Sequence, residues 1–377
     1  MSQKQAVPRL SNISLPNVEK SLEQKGVLSF TLNNTNVSIA NALRRVILSD
    51  IPTVVIDTNE NINFHKNTTK FHNEILKQRL GCIPVYIKDF DDIKNLEIHV
   101  DVENDIESMR YVTTNDFKIY DKNTENYLDS SVTEQIFPAD NITKSYILVT
   151  RLRPKISNDI PGEKIHFTAT FTTGTALESG MYNVCSTCAY GNTPDPVKQN
   201  EFWQEQEDEL EKNGLSSNQI NYEKANWYTL NAKRYYKKDS FDFKIETIGV
   251  YSNLELVHLA CDNIISRLVK IIELCDSQKL TLIYDSTAIN QCVDVKLFNE
   301  DYTIGKIIEY ILHYQYYLHD KLLTYVGFLK KHPHDNFSII RIVFKDEEKF
   351  TSSNILAIVK FSCQSCINIY QNLKEYF

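Results

Sequence analysis

Residues 38–50 read Ser-Ile-Ala-Asn-Ala-Leu-Arg-Arg-Val-Ile-Leu-Ser-Asp, and Ile51-Pro52 follows. Ile39, Ala42, Leu43, Val46 and Ile47 fall at i, i+3, i+4, i+7 and i+8, one stripe of an amphipathic helix. Ser38 is the expected N-cap after a strand-like run from Gly26 to Leu32, and Pro52 the expected stop. A second stretch, Glu300-Asp301-Tyr302-Thr303-Ile304-Gly305-Lys306-Ile307-Ile308-Glu309-Tyr310-Ile311-Leu312, has the same layout. There Ile304, Ile307, Ile308, Ile311 and Leu312 repeat the spacings of the first stripe. The chain therefore reads as two related packing units. Ile39, Leu43, Val46 and Ile47 are expected to meet Ile304, Ile307, Ile308 and Ile311 where those units pair.

Outward from the first helix, Thr53 to Asp57 reads as a second strand. Residues 58–160 differ: they are polar, rich in Asn and Asp, and carry short alternating runs such as Glu97 to Val102 and Tyr146 to Val149. This predicts an inserted mixed α/β domain. Within it a short helix is expected from Asn67 through Arg79, with Gly81 just past its end and Pro84 beyond. A strand returns at 164–172, and the acidic run 200–213 reads as a solvated helix within a surface excursion at about 195–238. A strand at 241–248 leads into a long helix from Asn253 to Cys275.

The last hundred residues predict strands at 280–284, 292–298 and 337–344, an extended piece at 323–329, and helices at 302–317 and 352–375. Only Asp276 to Lys279 join this part to the preceding helix, too short for a flexible tether. The expected fold is α+β: two units, each an antiparallel sheet with two helices, packed as an intramolecular pseudo-dimer. Residues 1–57 and 161–275 form the first unit, 58–160 the insert and 279–377 the second.

At 377 residues the chain has room for two or three domains. Its net charge of −8 speaks against holding nucleic acid mainly through phosphates. Met1 to Pro8 lacks the apolar core of a signal peptide, and no apolar run approaches a membrane span. An intracellular protein is expected, its eight cysteines thiols. The Asn-x-Thr triplets at Asn33 and Asn67 are then chance matches.

Among motifs, Cys185-Ser186-Thr187-Cys188 is open to a structural, a metal-binding or a redox reading. A metal or redox protein built on Cys185 and Cys188 is the alternative function. Cys363 and Cys366 follow the apolar face of the last helix and read as core thiols, as do Cys261 and Cys275. His332-Pro333-His334 reads as a loop, and His65 and His72 lack a partner motif. Asp89, Asp91 and Asp92 read as a solvated turn, and there is no Gly-rich phosphate loop. Arg44 and Arg45 flank the buried stripe. Each is open to an ion pair within the fold or to presenting its guanidinium to a partner.

Residues 41–52, Asn-Ala-Leu-Arg-Arg-Val-Ile-Leu-Ser-Asp-Ile-Pro, resemble the signature helix of the α-subunit family of multisubunit RNA polymerases. That family includes bacterial α, archaeal D and the third eukaryotic subunit. The run from Asn67-Thr68 through His72-Asn73-Glu74 to Arg79-Leu80-Gly81-Cys82-Ile83-Pro84 is similar to its insert-domain helix, and Phe241 to Gly249 to its last strand. The C-terminal hundred residues resemble the smaller partner, archaeal L and the eleventh eukaryotic subunit, through Glu300 to Lys306 and Val326 to Pro333. A fusion of the two resembles the polymerase subunit of large cytoplasmic DNA viruses of the asfarvirus or mimivirus kind.

The resemblance implies a non-catalytic assembly platform, one copy per polymerase, docking the two largest subunits and contacting small ones. It implies a place in the host cytoplasm and the virion, and neither sequence-specific nucleic-acid binding nor membrane attachment. Asn41, Arg44 and Arg45 are the residues expected at the large-subunit contact. No cofactor is expected. Some relatives carry a zinc loop or an iron–sulfur cluster in the insert, but this insert has Cys82 alone. The family's His-Ala-Lys-Trp-like segment is replaced by Met181-Tyr182-Asn183-Val184-Cys185, and the resemblance places no counterpart for 200–235.

Overall fold

The computed structural model describes residues 15–58, 61–91, 93–157, 159–284 and 290–377. Met1 to Pro8 and Asp92 lie outside them. In chain order, β1 (Asn17–Gln24) and β2 (Val27–Asn33) lead into α1 (Val37–Ser49). Then come β3 (Thr53–Ile56), β4 (Ile62–Asn67), α2 (Asn73–Gly81), β5 (Leu96–Glu103), β6 (Arg110–Thr113), β7 (Lys118–Asp121), β8 (Asn126–Tyr127), α3 (Ser130–Ile136), β9 (Leu148–Leu152) and β10 (Lys164–Gly174). β11 (Cys185–Pro194), α4 (Pro196–Lys212), α5 (Ser217–Thr229), β12 (Tyr236–Thr247) and α6 (Asn253–Asp276) follow. The chain closes with β13 (Thr281–Tyr284), β14 (Cys292–Phe298), α7 (Tyr302–Leu312), β15 (Leu323–Leu329), β16 (Phe337–Phe344) and α8 (Ser352–Lys374).

Two compact units emerge. One comprises the chain up to Ile47 with Thr187–Glu246 and Asn253–Phe377; the other comprises Leu48–Ser186 and Thr247–Ser252. The insert limits expected at 58 and 160 thus move outward. The reason is hydrogen bonding: β10 pairs with β5 on one edge, and along the other with β4 at 165–169 and then β3 at 171–174. Its core gathers Leu76 and Leu80 of α2 with Ile98, Val100, Phe167 and Ala169 of the sheet.

The other unit contains two four-stranded antiparallel sheets, ordered β1-β2-β12-β11 and β13-β14-β16-β15. Matched strand for strand, the two orders are the same. In each half one helix follows the sheet's second strand directly and one follows its fourth: α1 and α6, then α7 and α8. The match extends to single residues at an offset of 265. β2 falls on β14, and buried Leu28, Phe30 and Leu32 fall on buried Val293, Val295 and Leu297. Asn34 and Asn299 both take left-handed φ, 54° and 57°, to turn from strand to helix. The stripe Ile39, Ala42, Leu43, Val46, Ile47 falls on Ile304, Ile307, Ile308, Ile311, Leu312, and all ten side chains are buried. A second offset, 102, relates the long helices. Leu256, Val257, Ala260, Cys261, Ile264, Leu268 and Ile271 fall on Ile358, Val359, Ser362, Cys363, Cys366, Tyr370 and Leu373, again all buried.

Several local expectations shift. α1 begins at Val37, so Ser38 lies in its first turn, and Asn36 Oδ1 accepts the Ser38 N–H at 2.9 Å in the capping role. α2 begins at Asn73, not Asn67. Asn67 instead closes a turn, its Oδ1 accepting from the backbone and hydroxyl of Thr69 at 3.0 and 2.8 Å. α7 ends at Leu312 and passes into a π-helical turn, His313–His319. The 200–213 run lies in α4, but that helix is not merely solvated. With α5 it forms a hairpin around Trp203, Ile220, Trp227 and Ala232. β1, on the outer edge of the first sheet, is mostly polar and so hides its strand character.

Candidate functional site

The candidate site is the seam along which the two halves of the first unit meet. Across it the extensive helix packing is α6 along α8, while α7 packs on α8 within the second half. Burying an aliphatic side chain contributes roughly 1.5–3 kcal/mol, so the buried faces of α6 and α8 supply the main stabilisation. Polar contacts then fix the register. The Tyr370 hydroxyl, fully buried, donates to the Ile39 carbonyl at 3.1 Å. The Phe377 ring meets Phe30 edge-on, 4.8 Å between centroids.

Ion pairs run across the same seam. Arg45 donates to Asp301 at 2.6 Å. Arg267 grips both oxygens of Glu300 through Nε, at 3.2 and 3.1 Å, and adds a close contact through Nη2. Lys374 reaches Asp262 at 2.7 Å, and Lys360 reaches Asp276 at 2.5 Å. The Arg267–Glu300 pair is the most sheltered, its side chains 19% and 12% exposed, so losing either member is costly. Asp301 has a second task as N-cap of α7, accepting the Thr303 N–H at 2.8 Å. Burial alone would push its carboxyl up, but hydrogen bonds from Thr303 with the charges of Arg45 and Arg267 outweigh that and hold it below the ordinary value.

A depressed carboxylate stabilises the fold above its unfolded pKa, and that contribution is lost as pH falls through the folded value. Urea midpoints of the parent chain are therefore expected to drop below about pH 4, near the unfolded aspartate pKa. Asp301→Asn is expected to be less stable at pH 7 and flatter across this window. Parallel pH profiles for the two chains would contradict the assignment.

The arginines divide their work. Arg45 enters the ion pair just described, within the fold. Arg44, half-buried, donates to Asn41 Oδ1 through Nε at 3.1 Å and Nη2 at 2.9 Å. Asn41 and Arg44 thus form one polar edge of α1 beside the buried stripe. The stripe residues Ile39, Leu43, Val46, Ile47, Ile304, Ile307, Ile308 and Ile311 are each no more than 1% exposed.

Cys185 and Cys188 are buried on β11, a strand and not the helix start a thioredoxin-like site requires. Among the described residues no group of three His, Cys, Asp or Glu is placed to hold a metal ion. The unit at 48–186 holds two cysteines, Cys82 and Cys185, too few for the four-cysteine zinc loop or the iron–sulfur cluster of some relatives. Burial pushes the Cys261 thiol up to about 12 and Cys275 to about 11, with Asp262 and Asp276 adding to the effect. Cys363 and Cys366 are also raised by burial. His332 and His334 sit in the β15–β16 loop, the His334 N–H on His332 Nδ1 at 3.2 Å. His65 lies on β4 with its ring 4.6 Å from His166. Asp91 closes a turn on Asp89. No helix among the described residues is long and apolar enough to cross a membrane.

Sequence reasoning missed Arg267, Glu300, Asp301 and Tyr370 as seam residues. The available signal was two acids directly before the second stripe.

The fold and seam define an α+β protein built around helix-mediated pairing of like-folded halves. Residues 29–268 match the model of the RNA polymerase Rpb3/Rpb11 dimerisation domain, and the chain belongs to that family. It is similar to the archaeal DNA-directed RNA polymerase subunit Rpo3 of Methanosphaera stadtmanae, 25% identical over 252 residues, covering 62% of this chain and 88% of that one. It is similar to DNA-directed RNA polymerase II subunit RPB3 of Schizosaccharomyces pombe, 37% identical over 82 residues. That match covers 22% of this chain and a quarter (25%) of the yeast protein. In Arabidopsis thaliana, subunit 3 of RNA polymerases II, IV and V is 45% identical over 56 residues, 15% of this chain and 17% of the plant one.

Proposed function

We propose that this chain is an Rpb3-like, non-catalytic assembly subunit of a DNA-directed RNA polymerase. On this reading the part from β13 onward acts as a covalently attached Rpb11-like partner. The observation that carries it is the residue-level repeat: two sheets of one strand order, each with two helices, sharing one buried seam. A body that pairs with itself exposes the remaining edges of its helices for other subunits. The polar edge of Asn41 and Arg44 is such a docking element, and Arg45 belongs to the seam instead. A planar guanidinium held by Asn41 is pre-organised for a carboxylate or backbone carbonyls of a large subunit. Residues 48–186 would serve as a separate module for small subunits. The placement in a viral, cytoplasmic enzyme and its virion rests on the resemblance of the fused layout alone.

The test is affinity purification of the tagged full chain from its native source. The expected result is recovery of the two largest polymerase subunits at one copy of this chain each. Asn41→Ala with Arg44→Ala is expected to lower that recovery about tenfold, the loss of one charge-assisted contact of roughly 1.4 kcal/mol or more. A folded chain that brings down no large subunit would refute the proposal.

A further inference from the structure

We propose that the seam carries a charge code that admits only unlike halves, so that the chain pairs within itself and rejects a second copy. The inference rests on the pseudo-dimer reading above and adds what selects the partner. Of the four described ion pairs across the seam, three carry the code: Arg45–Asp301, Arg267–Glu300 and Lys374–Asp262; Lys360–Asp276 stands outside it, because the equivalent of Lys360 is another basic residue, His258. The repeat states what stands at each equivalent position. At offset 265, Asp301 and Glu300 fall on Asn36 and Thr35, and Arg45 falls on Tyr310. At offset 102, Arg267 falls on Ile369, Asp262 on Gln364, and Lys374 on Ile272. None of these six counterparts carries a charge at neutral pH.

The buried faces of the two halves discriminate mainly at one position, where Tyr370 stands against Leu268 and donates across the seam to Ile39. The ion pairs do so at several. Were two first halves to meet, Arg45 would face Asn36, Arg267 would face Thr35 and Asp262 would face Ile272. Were two second halves to meet, Asp301 would face Tyr310, Glu300 would face Ile369 and Lys374 would face Gln364. Either like pairing removes every one of these carboxylate–cation contacts, twice over by symmetry. The sheltered Arg267–Glu300 pair carries most of the penalty, because breaking a partly buried pair costs more than forming it gains, and the more exposed Arg45–Asp301 and Lys374–Asp262 add less. The polarity extends to the helix edges. Asn41 and Arg44 fall on Lys306 and Glu309, which form an ion pair, so a positive edge on α1 corresponds to a neutralised one on α7.

The Arg267–Glu300 pair gives the cleanest test, because Glu300 is not a helix cap. Full-length Arg267→Glu and Glu300→Arg would be made singly and together. Each is then followed by thermal melting and light scattering. Each single variant is expected to lower the melting midpoint by about 5 °C or more and to shift mass from monomer to dimer or larger species. The double variant is expected to regain at least half of the midpoint and the monomeric mass. Single variants that melt like the parent as monomers, or a double variant that loses as much as both singles combined, would overturn the code. A parallel measurement isolates the underlying reading. Zero-length carbodiimide coupling of the parent monomer, read by mass spectrometry, is expected to join Lys374 to Asp262. A folded monomer that yields no such link would overturn the paired halves themselves. The link with no rescue would overturn only the code.

Discussion

Leu43→Ala is expected to lower the stability of the paired-helix unit by about 3 kcal/mol, within the 2–5 kcal/mol range for large-to-small core changes. Leu43 is fully buried at the centre of α1, between Ala40 and Ile47 of the same buried face. Removing its branched end loses transfer energy and leaves a cavity that close-packed neighbours fill only in part. Against a typical total of 5–15 kcal/mol this is a large share. For domains of 150–250 residues each kcal/mol shifts the melting midpoint by roughly 2–4 °C, so a fall of about 6–12 °C is expected. Val37→Ala, at a half-exposed position of the same helix, is the control and should stay within about 0.5 kcal/mol. Differential scanning calorimetry reads both. A Leu43→Ala midpoint within about 2 °C of the parent would show that α1 does not hold the seam.

The second large effect lies in the other unit. Gly162 precedes β10, and a Cβ built there would stand 1.7 Å from the Asn104 carbonyl oxygen and 3.3 Å from that of Arg153. The first obstacle is backbone and is itself tied down. The Asn104 N–H donates to Glu163 O at 2.9 Å, and its side-chain amide donates to Leu152 O at 3.0 Å and Ser108 O at 2.9 Å. Asn104 has no exposed surface, so nothing can swing into solvent. Gly162→Ala is therefore expected to cost about 3 kcal/mol, the upper end of overpacking, through separation of β10 from the end of β5. Gly180→Ala, where a Cβ meets nothing within 4 Å, is the matched control. Hydrogen exchange should show lost protection in β5 and β10 for the first variant alone. Equal protection in both would mean that the Asn104 turn can yield.

These two sites differ in how far the chain announces them. The stripe of α1 and its echo in α7 were legible because a buried helix face writes its 3.6-residue period directly into the sequence. The same holds for α6 and α8, and for β14, whose limits coincide with the expected ones. β1 was not legible, since an edge strand facing water has no apolar alternation to display. The α4–α5 hairpin was half legible. Its acids were plain, but Trp203 and Trp227 needed the hairpin's closure to become a core. The Asn67 turn was hidden because an Asx turn and a helix N-cap use the same residue types. Asn41 and Arg44 could be singled out as neighbours on a helix edge. The counter-charges of Arg45 and Arg267 could not, because Asp301 stands 256 residues from the first and no local pattern links them.

One seam of the repeat accepts very different loads. In the second half, the connection from α7 to β15 is the short π-helical turn His313–His319 and three further residues before Leu323. In the first half, the same connection, from Ser49 to Cys185, spans most of a folded unit with its own core. Within that unit the Leu177 N–H donates to the Ser49 carbonyl at 3.0 Å, and the Tyr251 hydroxyl to the Pro52 carbonyl at 3.0 Å. The unit therefore also recruits the Thr247–Ser252 link that precedes α6, so the long connection is sewn into the chain at two places and is not a detachable loop.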